Sequence, residues 1–164
     1  MPFEIERKFL VVGDGWQKLA TGTTRIRQAY LPSDGSLSIR VRIKNEQTAA
    51  LTIKSRDAEL RRLEFEYPIP VQDAEALMAR RRGAVVEKVR FDVPWKGLVW
   101  EVDVFSRDND GLMIAEVELR HESQVIDLPE WAGAEVTSQR KYYNGNLAQR
   151  PYCTWGTGNV GNVA

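Results

Sequence analysis

A chain of 164 residues, 43% hydrophobic and 28% charged, is long and apolar enough to bury the core of one domain, which excludes an intrinsically disordered segment. Its 23 basic and 23 acidic residues cancel, which argues against a sequence-independent nucleic-acid binder but leaves room for a site that concentrates both signs. One cysteine (Cys153) and one histidine (His121) exclude an internal disulfide and a His/Cys zinc site, so any metal would be hard and oxygen-bound.

In chain order, Phe3 to Val12 reads as a strand. Residues two apart share a strand face, so Glu4, Glu6 and Lys8 form a ladder of two carboxylates and an ammonium. Asp14 to Ala20 reads as a short helical turn. Thr24 to Leu31 is a second strand with Arg25 and Arg27 on one face. Tyr30, in register with Ile26, falls on the other face unless a bulge turns it. Pro32-Ser33-Asp34-Gly35 has turn chemistry, and Ser36 to Lys44 and Thr48 to Ser55 follow as strands around a bend at Asn45 and Glu46. Leu63 to Ile69 is the fifth strand.

Val71 to Arg82 has helical spacing at Ala74, Leu77 and Met78, with Gly83 as its stop and Arg80, Arg81 and Arg82 as a solvated basic end. Glu87 to Val93, Leu98 to Phe105 and Leu112 to Arg120 complete eight strands, joined by hairpin turns at Lys96-Gly97 and Asp108-Asn109-Asp110-Gly111. Glu122 to Ile126 reads as a helical turn and Tyr142 to Gln149 as a last helix. Residues 1–150 form one domain, and 151–164, rich in Gly, Asn and Val, form a flexible tail. Trp95, Trp100 and Trp131 read as packing residues, His121 as a surface residue and Cys153 as an incidental thiol. With no apolar run of membrane-spanning length and no apolar signal core, a cytoplasmic protein without membrane or nucleic-acid partners is expected. A homodimer is kept open as its assembly.

The first strand's ladder recurs on the others. Arg25 and Arg27, then Arg40, Arg42 and Lys44, then Lys54, Glu64 and Glu66 alternate with apolar residues. So do Lys88, Arg90 and Asp92, then Glu101 and Asp103, then Glu116, Glu118 and Arg120. The ordinary reading is an antiparallel sheet with one wet face, whose ion pairs each contribute little. Two features favour another. The charges sit at strand centres, and Thr, Ser and Gln are scarce on that face. Eight such strands can close into a barrel with the charged face inside and the apolar face covered by helices. That alternative to the wet-faced sheet is a mainly β (α+β) fold: an eight-stranded antiparallel β-barrel with a charged interior and a few flanking helices. A charged interior is costly unless a ligand compensates it. Carboxylates bind Mg²⁺ or Mn²⁺, and Arg and Lys, Arg25 and Arg27 among them, bind phosphate oxygens, so the ligand that fits is a triphosphate carried with its metal.

Glu4-x-Glu6-x-Lys8 within EIERKFL is followed in order by RIRQAYL, SIRVRIK, LTIKS, EFEYPI, VEKVRF, WEVDVF, AEVEL, LPEWAGAEVT and YYNGNLA. The series resembles the CYTH domain, the triphosphate tunnel metalloenzymes, in its short bacterial form. The resemblance implies an eight-stranded tunnel that uses Mg²⁺ or Mn²⁺. It implies metal binding by Glu4, Glu6, Glu116 and Glu118, and phosphate binding by Lys8, Arg40, Arg42, Lys54, Lys88 and Arg90. Glu64, Glu66 and Asp103 match the remaining acids. Glu64 and Asp103 are expected to hold a second ion or orient the attacking water, and Lys88 to assist at the scissile phosphate. The chain departs from the family after EVT: Ser138-Gln139-Arg140-Lys141-Tyr142 lacks the usual acid, and which of Arg140 and Lys141 reaches the tunnel is left open. The expected function is hydrolysis of inorganic triphosphate to pyrophosphate and phosphate. The alternatives are a class IV-type adenylate cyclase and a non-catalytic polyphosphate- or nucleotide-binding module.

Overall fold

The computed structural model describes residues 3–55 and 61–156. Nine strands, β1 (Phe3–Val11), β2 (Gly22–Leu31), β3 (Leu37–Lys44), β4 (Thr48–Ser55), β5 (Arg61–Ile69), β6 (Arg82–Trp95), β7 (Leu98–Phe105), β8 (Met113–Glu118) and β9 (Ala132–Glu135), form one sheet in the order β5-β4-β3-β2-β6-β7-β8-β1-β9. A further antiparallel pairing of β5 with the start of β1 closes the first eight into a barrel. The alternation of each strand then sorts charged side chains to one side of the wall and apolar ones to the other.

The charged side faces inward. Outside, Trp16, Trp100, Trp131, Phe9 and Val102 build an apolar cluster over β1, β6, β7 and β8, with Trp95 packed against it, so Trp95, Trp100 and Trp131 have the packing role expected of them. The helix α1 (Val71–Met78) lays Ala74 and Met78 on Ala29, Val41 and Ile43. The helix α2 (Asn144–Gln149) lays Leu147 and Ala148 on Val86, Phe105 and Ile114. Burying these faces supplies most of the stabilisation, at roughly 25 cal/mol per Å² of apolar surface.

Several elements differ from expectation. Val71 to Arg82 is not one helix. It ends at Met78, where its apolar face ends, and Arg82 already belongs to β6. Gly83, at φ +78°, is a left-handed step in that strand rather than a helix stop. Glu122 to Ile126 forms a turn closed by Gln124 N–H donating to the His121 carbonyl, not a helix. Asp14 to Ala20 contributes only a 3-10 turn at Gln17–Leu19. The last helix divides into a 3-10 turn at Arg140–Tyr142 and then α2. β9 was not foreseen. Its sequence, Ala-Gly-Ala-Glu, lacks alternation, yet it pairs with β1 beside Phe9 and Val11. The first residues after Pro151 are packed, with Trp155 edge-on to Tyr142 at 5.2 Å and to Tyr152 at 4.9 Å. The rest of the expected tail, 157–164, lies outside the described residues. Among those described, no helix is long and apolar enough to cross a membrane.

Candidate active site

The barrel encloses a cavity of about 770 Å³. Among the described residues its wall carries seven acids (Glu4, Glu6, Glu64, Glu66, Glu101, Glu116, Glu118) and seven bases (Lys8, Arg40, Arg42, Lys54, Arg62, Arg90, Arg140). Cross-strand register decides which of them meet. Lys8 lies opposite Glu116 on β8, and its Nζ stands 3.0 Å from Glu116 Oε1 and 3.1 Å from Glu6 Oε1. Lys54 reaches Glu4 at 2.7 Å. Arg90 faces Asp103 and grips it with two bonds, Nε to Oδ1 at 2.7 Å and Nη2 to Oδ2 at 2.9 Å. Arg40 donates to Thr52 Oγ1 at 3.1 Å, with Glu66 at 3.9 Å.

Among the described residues, two register pairs with both members on the cavity wall carry like charge: Glu6 opposite Glu118, and Glu101 opposite Glu116. Like charges directly opposite are destabilising in a sheet, so this quadrant of the wall is acidic beyond what its own lysines neutralise. The titration directions agree. Burial, and then the charges of Glu116 and Glu4, push Glu6 up to about 7 against the opposing pull of Lys8 and Lys54. Burial with Glu4, Glu6 and Glu101 also raises Glu118. Burial raises Glu116, but Lys8, Arg90 and Lys88 outweigh it and hold that carboxylate well below the usual range. Among the described residues no three acids converge on one point at metal-ligand spacing, because Lys8 and Lys54 stand between them. The donor chemistry, facing carboxylate oxygens among which Glu6 and Glu118 are raised by their neighbours, nevertheless fits a hard divalent cation.

The basic side is assembled differently. Arg42, 7% exposed, donates from Nε to Gln28 Oε1 at 2.7 Å. Burial, then the charges of Arg40 and Arg90, pulls the Arg42 guanidinium down. Lys88 lies behind the wall, fully buried, 2.6 Å from Asp103 Oδ2 and 3.0 Å from Asn144 Oδ1. Burial, aided by Arg90 and Arg42 and opposed by Asp103, lowers its ammonium to about 7.

Of the residues singled out from sequence, the cavity wall brings together Glu4, Glu6, Lys8, Arg40, Arg42, Lys54, Glu64, Arg90, Glu116 and Glu118. Four depart from expectation. Lys88, expected on the phosphate chain, lies behind the wall and does not line the cavity. Arg25 and Arg27 are not on the tunnel face. The pairing of Gln28 with Arg42 and Tyr30 with Arg40 turns Gln28 and Tyr30 inward, so the arginines project outward. Arg27 instead binds Glu46 and Glu75, each at 2.7 Å. Tyr30 needs no bulge to reach the cavity, because its face is the inner one. Asp103, 0% exposed with both oxygens held by Arg90 and Lys88, is not available to a metal or to water.

Other wall residues were missed. Arg62 continues the Glu64, Glu66 alternation by two residues, a signal lost by starting the strand at Leu63. It packs its guanidinium 4.6 Å from the Tyr143 ring, which is anchored by its hydroxyl on the Thr137 carbonyl. Arg140 lines the cavity, whereas Lys141 lies over the Tyr142 and Trp155 rings outside it.

The CYTH domain model matches residues 2–152. The chain belongs to the CYTH family. An inorganic triphosphatase of Acetivibrio thermocellus is 44% identical over 150 residues, covering 91% of this chain and 95% of its own. The inorganic triphosphatase of Nitrosomonas europaea is 37% identical over 153 residues, covering 88% and 96%. The crystal structure of the inorganic triphosphatase NE1496 superposes with a TM-score of 0.64 at 35% identity, over 88% of this chain and 93% of that one. The Hippeastrum protein HpAC1, 17% identical with a TM-score of 0.57 over 72% and 80%, shares the fold. CYTH tunnel enzymes are metal-dependent in general.

Proposed function

We propose that this chain hydrolyses inorganic triphosphate to pyrophosphate and phosphate in a Mg²⁺- or Mn²⁺-dependent reaction, in the cytoplasm. The observation that carries the reading is the division of the cavity inside the closed barrel into a quadrant of facing carboxylates and a wall of arginines. A divalent ion on Glu4, Glu6, Glu116 and Glu118 would withdraw charge from phosphate oxygens. Arg40, Arg42 and Arg90, with Lys8 and Lys54, hold and align the phosphate chain and stabilise charge on the transferred and leaving groups. Asp103 acts through others: its two bonds fix the Arg90 fork and its third holds Lys88. Lys88, with its pKa near 7, places a cation or a transferable proton behind the scissile region. Glu64, with no side-chain ion pair or hydrogen bond among the described residues, is the carboxylate left to orient water.

The test is phosphate release from tripolyphosphate, pyrophosphate, thiamine triphosphate, ATP and longer polyphosphate, each with Mg²⁺ and with Mn²⁺. Tripolyphosphate is expected to be the fastest substrate. Cyclic AMP from ATP with Mn²⁺ would favour a cyclase instead. Tight triphosphate binding without turnover would favour a binding module.

A further inference from the structure

Most cations of the cavity wall are answered by carboxylates: Lys8 by Glu6 and Glu116, Lys54 by Glu4, Arg90 by Asp103. Arg42, buried in that wall, is not. Among the described residues no carboxylate lies within ion-pair distance of it, and its bond goes to the neutral amide of Gln28, its register partner on β2. Gln28 is 0% exposed and does not line the cavity. Its Nε2 donates to Asn144 Oδ1 at 2.9 Å, and Lys88 Nζ donates to that same oxygen at 3.0 Å. Arg and Lys side chains only donate. Each end of this chain of bonds therefore demands an oxygen, and both amides can be oriented in only one way.

We propose that Gln28 and Asn144 form a neutral relay that positions Arg42 for a phosphate chain without cancelling its charge, anchored at its far end on Lys88, which Asp103 already pairs. A carboxylate in place of Gln28 would satisfy the Arg42 donor, as Asp103 does for Arg90, but would neutralise the cation. A buried guanidinium held through Nε by a neutral acceptor keeps its charge and is stabilised by an incoming anion. Because Asn144 is the first residue of α2, the relay also tethers that helix to the phosphate-binding wall. Gln28 and Asn144 are positioning residues, and the inference rests on the triphosphatase reading.

The test measures tripolyphosphate affinity by titration calorimetry, steady-state KM and kcat, and Tm for Gln28→Met and Asn144→Asp. Gln28 cannot touch the ligand, so in Gln28→Met an affinity weaker by about tenfold, with KM rising more than kcat falls, is the expected mark of a displaced Arg42. Asn144→Asp keeps both acceptor contacts and adds a charge; binding about tenfold weaker at an unchanged or higher Tm is expected. A purely structural role predicts the reverse: wild-type affinity in Asn144→Asp, and in Gln28→Met a lower Tm with an unchanged KM. That result overturns the relay, and Asn144→Asp decides it even if Gln28→Met does not fold. Wild-type protein that fails to bind tripolyphosphate overturns the triphosphatase reading and the relay together.

Discussion

Arg27 and Gln28 are neighbours with opposite fates. Arg27 is held outside by Glu46 and Glu75, while Gln28 is sealed inside against Arg42. Arg27→Gln is therefore expected to leave kcat and KM within about twofold, since exposed ion pairs contribute little. Arg42→Gln is expected to lower kcat/KM by about 100-fold, the scale of a charge-assisted contact to phosphate. Steady-state kinetics on the pair checks both. Which face of β2 points inward was not legible in the sequence, because both faces mix polar and apolar residues and a strand's facing is set by its neighbours' register. On β1, β3 and β8 the charged ladder itself marked the inner face, and those residues were found. A second test concerns Glu6. Its pKa of about 7 exceeds the usual 4.5, so the folded state binds the extra proton and stability falls as pH rises from about 4.5 to 7. Divalent binding at pH 6 is then expected to release protons, measured as a calorimetric heat that varies with buffer ionisation enthalpy. A buffer-independent heat would contradict that assignment.

At the scale of elements, the long strands were legible because their alternation runs over six residues or more. β9 was not, since Gly133 serves a close approach rather than an alternation: a Cβ on Gly133 would stand 2.5 Å from Val12 and 3.0 Å from the Leu10 carbonyl oxygen. The same kind of contact explains the start of β6. Gly83 combines φ +78° with an approach that would bring a Cβ to 2.5 Å from the Ala148 carbonyl oxygen, locking β6 to the end of α2. Gly83→Ala is expected to cost about 2 kcal/mol or more and to lower Tm by about 5 °C. Scanning calorimetry showing an unchanged Tm would mean that β6 and α2 are not packed this closely.

For the whole molecule, a net charge of zero hides an arrangement in which acids and bases are concentrated inside the barrel and aromatic and aliphatic residues outside it. The barrel was legible because eight charged ladders are too many for one wet sheet face. The side-chain pairings were not, because Asp103 and Glu101 look alike in sequence and differ only in which neighbour closes over them. The division of the wall into a carboxylate quadrant and an arginine side implies that divalent ion and triphosphate each bring the charge that the other lacks. Together they should raise Tm by more than the sum of their separate effects, a linkage read by thermal melts with each alone and with both. The most direct measurement is the initial rate of phosphate release from tripolyphosphate by the wild-type protein and by Glu116→Gln, each with Mg²⁺, with Mn²⁺ and with chelator. The expected result is release that requires the metal and falls by about 100-fold in Glu116→Gln. Equal release in chelator, or full activity in Glu116→Gln, would contradict the account.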